Sequence, residues 1–137
     1  MNGEVRQVTA QDLLAEVGRL QAAGFDYLSL VTAVDFIAED QIELVYCFYS
    51  IASRKGPVTL KLRLPRTAPR APSLLPLFRS ADLQEREIYD LFGVEFEGRP
   101  GIKRLLLWDT FQGHPLRKDF QPDDDDRPVI MDERRGQ

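Results

Sequence analysis

Residues 58–64, Val58-Thr59-Leu60-Lys61-Leu62-Arg63-Leu64 (VTLKLRL), alternate four apolar side chains with three polar ones. Successive side chains of an extended chain point to opposite sides, so this pattern buries one face and wets the other. It reads as a strand of a half-buried sheet. Upstream, residues 25–37 (FDYLSLVTAVDFI) and 42–51 (IELVYCFYSI) are rich in β-branched and aromatic residues and read as two further strands. The polar cluster Glu39-Asp40-Gln41 turns the first into the second, and residues 53–57 turn the second into the third, so the three form a meander.

Helical spacing flanks this sheet. In residues 9–25 (TAQDLLAEVGRLQAAGF), Leu13, Leu14, Val17 and Leu20 recur at three- and four-residue intervals. Thr9 and Asp12 have capping-box spacing, and Gly24 supplies a left-handed stop. After the sheet, residues 65–73 (PRTAPRAPS) read as a proline-rich connector that cannot continue it. Residues 73–78 (SLLPLF) read as a short helix, and residues 82–93 (DLQEREIYDLFG) as a longer one. In the longer one Asp82 and Glu85 stand at capping spacing, Ile88, Leu91 and Phe92 form the apolar stripe, and Gly93 ends the helix. Residues 94–98 and 102–108 are candidate short strands. The order helix, strands, helix, strands predicts a two-layer α+β domain over 1–112, followed by an extended C-terminal strap and tail over 113–137.

Composition narrows the function. A chain of 137 residues with 43% hydrophobic and 29% charged residues suits one globular domain. A net charge of -4 speaks against nucleic acid as a partner. The lone Cys47 allows no intramolecular disulfide, and no apolar run is long enough to span a bilayer. The expectation is a cytoplasmic protein that meets a membrane only through a partner. One His and one Cys, far apart, make no conventional metal site, and no glycine-rich phosphate loop or dinucleotide fingerprint is present.

Charge is segregated. Six acids (Asp82, Glu85, Glu87, Asp90, Glu95, Glu97) face one base over residues 82–97, and five bases (Arg99, Lys103, Arg104, Arg117, Lys118) face one acid over 99–118. Arg86 and Asp90, four apart on a helix, can pair with one another. Asp90 lies within a turn of the helix end, where the dipole disfavours a carboxylate by about 0.3–1 kcal/mol, so it is either a mildly strained exposed acid or one that has a partner elsewhere. His114 precedes Pro115, which favours an extended backbone, as in a strap. Leu116 and Phe120 are spaced apolar anchors around Arg117, Lys118 and Asp119, a pattern suited to docking on another protein. A hydrolase built on His114 is the competing reading, but no nucleophile elbow surrounds any serine.

These segments carry a resemblance. Glu85-Arg86-Glu87, Asp90, Leu91-Phe92-Gly93, then Arg104-Leu105-Leu106, then Gly113-His114-Pro115-Leu116-Arg117-Lys118-Asp119-Phe120 are similar, in that order, to the signature of the 30 kDa, or C-type, subunit family of proton-pumping NADH:quinone oxidoreductase, respiratory complex I. Residues 25–36, with Asp35 at the strand end, and 71–82 resemble the family upstream of the signature. Two positions depart from it, Arg99 where His is usual and Leu83 where tryptophan is common. The resemblance implies a two-layer α+β domain with a mixed sheet packed against helices. It also implies a structural and assembly subunit that holds no cofactor itself, with FMN, iron–sulfur clusters and quinone in partner subunits. The implied place is the peripheral arm on the cytoplasmic side of the membrane, packed against a D-type (49 kDa-like) subunit. Glu85, Arg86, Glu87, Asp90, Arg104, His114, Leu116, Arg117, Lys118, Asp119 and Phe120 are the candidate interface. The same module resembles subunits of membrane-bound group 4 [NiFe] hydrogenases and ferredoxin-using relatives.

Overall fold

The structure, a computed structural model, describes residues 3–98 and 114–117. Its elements are β1 (Glu4–Val8), α1 (Leu13–Ala22), β2 (Tyr27–Phe36), β3 (Gln41–Ser50), β4 (Lys55–Pro65), β5 (Arg70–Pro72), α2 (Ala81–Phe92) and β6 (Glu95–Glu97). The alternation of residues 58–64 is realised in β4: Val58, Leu60, Leu62 and Leu64 are buried, while Thr59, Lys61 and Arg63 reach solvent. The antiparallel meander β2–β3–β4 forms as expected.

The sheet has a fourth strand that alternation alone does not announce. β1 pairs with β4 in parallel, giving the order β1-β4-β3-β2 and making the sheet mixed. Leu13, Val17 and Leu20 of α1 and Ala81 and Ile88 of α2 share one core with Ile42, Leu44, Tyr46 and Phe48 of β3 and the buried row of β4. Phe48 and Phe78 meet in a tilted pair with centroids 5.6 Å apart. Truncating a fully buried leucine of this core, such as Leu60, would cost about 2–5 kcal/mol.

Four local expectations are corrected. The proline-rich connector does contribute a strand: β5 pairs in parallel with β6 in a separate two-stranded ladder. Pro69 and Pro72 stand at the edges of that ladder, and the carbonyl of Pro69 accepts the amide of Glu95 at 2.9 Å, so their missing N–H groups are not needed. Residues 73–78 make a single turn rather than a helix, closed by Phe78 N–H to the Leu74 carbonyl at 2.8 Å. The cap of α2 falls on Ser80 rather than Asp82, and Ser80 does not cap with its side chain. Its hydroxyl instead donates to the carbonyl of Leu28 at 3.3 Å, while Gln84 Oε1 accepts the Val31 amide at 2.7 Å. The first turns of α2 thereby seal the open edge of β2. At α1, Thr9 Oγ1 accepts the Asp12 amide at 3.2 Å, half of the expected capping box. The expected strand over 102–108 lies outside the described residues.

Candidate functional site

Among the described residues of the signature, Asp90–Gly93 and 114–117 meet at the carboxyl end of α2. A helix leaves its last carbonyls without partners, and a buried end must find donors for them. Gly93, in the left-handed conformation at φ 80°, returns its amide to the Tyr89 carbonyl at 3.0 Å. The next three carbonyls are served by the segment 114–117. His114 Nδ1–H donates to Asp90 at 3.0 Å, the Leu116 amide to Leu91 at 3.0 Å, and Arg117 Nε–H to Phe92 at 2.7 Å. The carbonyl can only accept, so His114 carries its proton on Nδ1 in this contact. The Arg117 amide closes a turn onto the His114 carbonyl at 3.1 Å. A guanidinium at a helix carboxyl end also matches the negative pole of the dipole.

Gly93 does more than stop the helix. A Cβ built on it would lie 2.7 Å from Cδ2 and 2.8 Å from Nε2 of His114, so the ring rests directly on the glycine backbone. The sequence assigns His114 and Arg117 to a partner contact; the contacts named here are made within the chain, to its own helix. Leu116 leaves 52% of its surface exposed beside them.

The charged residues of α2 separate into two groups. Glu85 is fully buried and points into the core rather than capping the helix. Its carboxylate accepts from Ser73 Oγ at 2.6 Å and from the Leu74 amide at 2.7 Å, which fixes the turn leading into α2. Ala81, Glu85 and Ile88 lie at i, i+4 and i+7, so the buried glutamate occupies a position of the apolar stripe. Asp90 is also fully buried, which overturns the exposed-acid alternative, and no ion pair joins it to Arg86 among the described residues. Glu87 is exposed and Arg86 partly so. Glu87 and Leu116 rim a hollow of about 230 Å3 floored by Val31, Ile88, Leu91 and Phe92. Arg104, Lys118, Asp119 and Phe120 lie outside the described residues.

Two participants, Arg66 and Tyr46, carry no local signal in the sequence. Arg66, just beyond β4, grips Asp35 at the end of β2 through two bonds, Nε–Oδ1 at 2.6 Å and Nη2–Oδ2 at 2.8 Å, both side chains being buried. Arg66 also lines, with Asp40, Arg70, Glu95, His114 and Arg117, a polar cleft of about 500 Å3 beside the helix end. Tyr46 points its hydroxyl into the core, where it has no hydrogen-bond partner among the described residues. Burial, and secondarily the charge of Glu85, pushes that phenol well above its ordinary range.

Two side-chain donors and one amide thus tie residues 114–117 to the last carbonyls of α2. His114 Nδ1–H is committed to a main-chain carbonyl rather than to a carboxylate. Among the described residues no cluster of His, Cys, Asp and Glu is spaced to hold a metal, and no helix is long and apolar enough to cross a membrane. The family model described as respiratory-chain NADH dehydrogenase, 30 Kd subunit, matches residues 6–126, spanning both the sheet and the latched helix end.

The chain belongs to this 30 kDa subunit family.

The C subunit of the NADH-quinone oxidoreductase of Moorella thermoacetica is 44% identical over 115 residues, covering 83% of this chain and 77% of that protein. Among solved structures, the trypsin-resistant fragment of Nqo5 is similar with a TM-score of 0.64 and 28% identity, covering 70% of this chain and 80% of the fragment. A chain of the membrane-bound sulfane sulfur reductase, an archaeal respiratory membrane complex, is similar with a TM-score of 0.78 and 27% identity, covering 88% of this chain and 74% of its own length. The α+β fold with a mixed sheet, expected from the resemblance, is the one observed.

Proposed function

We propose that this chain is a structural and assembly subunit of the peripheral arm of an NADH:quinone oxidoreductase. The complex passes electrons from NADH through FMN and iron–sulfur clusters to quinone and couples this to proton translocation. This chain carries none of those steps and holds none of those groups. Its task is to clamp a D-type subunit on the cytoplasmic side of the membrane, which it reaches only through partners. The observation that carries this reading is the family match across residues 6–126, with the Moorella protein as a relative. The helix end supports it: His114 and Arg117 brace a surface, leaving Glu87 and Leu116 to face outward. Arg86, Arg104, Lys118, Asp119 and Phe120 complete the proposed contact.

Deleting the gene and resolving membranes on native gels tests the proposal. The expected result is loss of the assembled complex and of NADH:quinone activity, restored by a plasmid copy. Full assembly and activity without this chain would overturn it, as would a turnover by the isolated chain that His114→Ala abolishes.

A second reading is favoured by the likeness to the sulfane sulfur reductase chain. In it, the subunit occupies the equivalent place in a hydrogenase-like or ferredoxin-using complex. Affinity purification separates the two: a flavin-bearing NADH-oxidising module among the co-purified subunits supports the first, and its absence from an otherwise complete complex supports the second.

A further inference from the structure

The four-stranded sheet has two faces, and among the described residues the helices cover one. The other carries Tyr27, Leu30 and Val34 of β2 with Tyr49 of β3, and Ile51 follows in the next turn. These five side chains expose between 36% and 60% of their surface. The register places Tyr27 opposite Tyr49 and Leu30 opposite Cys47. The irregularity between Leu28 and Leu30 matters here: without it, Leu30 would share the inward face of Leu28.

One end of this face is concave. Tyr27, Tyr49, Ser50, Ile51, Arg54 and Gly56 enclose a hollow of about 390 Å3. Gly56, at φ 126°, permits the hollow its shape, because a Cβ there would stand 2.9 Å from the Phe48 carbonyl and 3.0 Å from Cδ2 of Tyr49. The Tyr49 ring therefore lies close on the hairpin backbone. Arg54 stands at the rim with φ 58°, a conformation that side chains other than glycine and asparagine rarely adopt. It makes no ion pair among the described residues. Its neighbour Lys55 adds a second positive charge. Asp26, just before β2, is engaged, accepting the Ile51 amide at 3.2 Å. Two tyrosines, an exposed isoleucine and an arginine make the composition of an interface anchor rather than of ordinary surface.

We propose that this surface docks a partner subunit, which inserts an apolar side chain between Tyr27 and Tyr49 and sets a carboxylate against Arg54; the proposal rests on the subunit role given above. A second copy of this chain fits poorly, since among the described residues Arg54 and Lys55 would meet no uncommitted acid on the opposing patch. A lipid surface fits poorly too, because the hollow receives a side chain where membrane insertion needs one that protrudes. At the far end, Glu43 holds Arg63 at 2.9 Å, and Val34 is the last exposed apolar group before that pair.

Photocrosslinking in the assembled complex tests this. Tyr49 is replaced by benzoylphenylalanine, and the complex is purified from membranes before irradiation. The expected product joins this chain to a partner subunit at a peptide containing Asp or Glu. Arg54→Glu then lowers the yield roughly tenfold or more, and reversing the charge of that partner acid restores it. Thermal unfolding of the isolated Arg54→Glu chain shows no lowered midpoint, which separates docking from folding. Crosslinks to a second copy, crosslinks to lipid, no crosslink in a complex that contains the chain, or a yield indifferent to Arg54→Glu would each overturn the docking surface while leaving the subunit role standing. Absence of the unmodified chain from the purified complex would overturn the subunit role and this surface with it.

Discussion

At Gly93 two demands meet in one residue: a left-handed backbone that ends α2, and an open α-carbon against which the His114 ring lies. Gly93→Ala should cost the backbone penalty of about 1–2 kcal/mol and, in addition, displace the ring. Urea unfolding of Gly93→Ala in the native and His114→Ala backgrounds checks this, with the smaller loss expected where the ring is absent; equal losses would show the two residues to be independent. Glu85 is a different kind of constraint. Glu85→Ala strands Ser73 Oγ and the Leu74 amide inside the protein, and a loss of about 3 kcal/mol in unfolding free energy is expected. Tyr46→Phe should do the reverse. It removes a buried hydroxyl that has no partner among the described residues, so the melting temperature should hold or rise.

The elements are tied by charge as well as by the core. Arg6 of β1 reaches Glu16 of α1 at 2.6 Å, and Arg19 holds the other oxygen of Glu16, also at 2.6 Å. Arg19 first, then Arg6, hold the Glu16 carboxyl below its ordinary value of 4.5. A carboxyl lowered by folding adds stability that is full above the unfolded value and is lost as pH falls through the folded one. Stability should therefore decline as pH drops below 4.5. Glu16→Gln should flatten that part of a melting-temperature profile and leave its slope at neutral pH unchanged. The element most legible in the sequence is β4, whose alternation is realised in full; of the helical stripes, Leu13, Val17, Leu20 and Ile88 are buried, while Leu14 is exposed and Leu91 and Phe92 are only partly buried. β1 escaped because its five residues, EVRQV, expose most of their side chains and find their partner only in β4. β5 escaped because it is three residues long and flanked by prolines, whereas the short strand expected over 94–98 is realised as β6. Of the site, the motif residues could be found but not their orientation. Nothing local tells a buried glutamate from a capping one, and the bond from His114 to Asp90 spans 24 positions.

For the molecule as a whole, the architecture divides labour between two surfaces. The helix end, latched by residues 114–117, presents Leu116 and Glu87, while the sheet face that no described helix covers presents Tyr27, Tyr49 and Arg54. Because the latch is intramolecular, the Leu116 amide should exchange slowly with solvent in the isolated chain, and Gly93→Ala should speed it. Hydrogen exchange on the free protein, before any partner is added, makes the comparison; fast exchange in the unmodified chain would mean that the latch closes only in the complex. The parallel pairing of β1 with β4 has a consequence in time. A ribosome releases β1 first, yet its ladder partner emerges only after α1, β2 and β3 have been made. Of the four strands, β1 thus waits for the meander to form, and this sheet completes itself backwards.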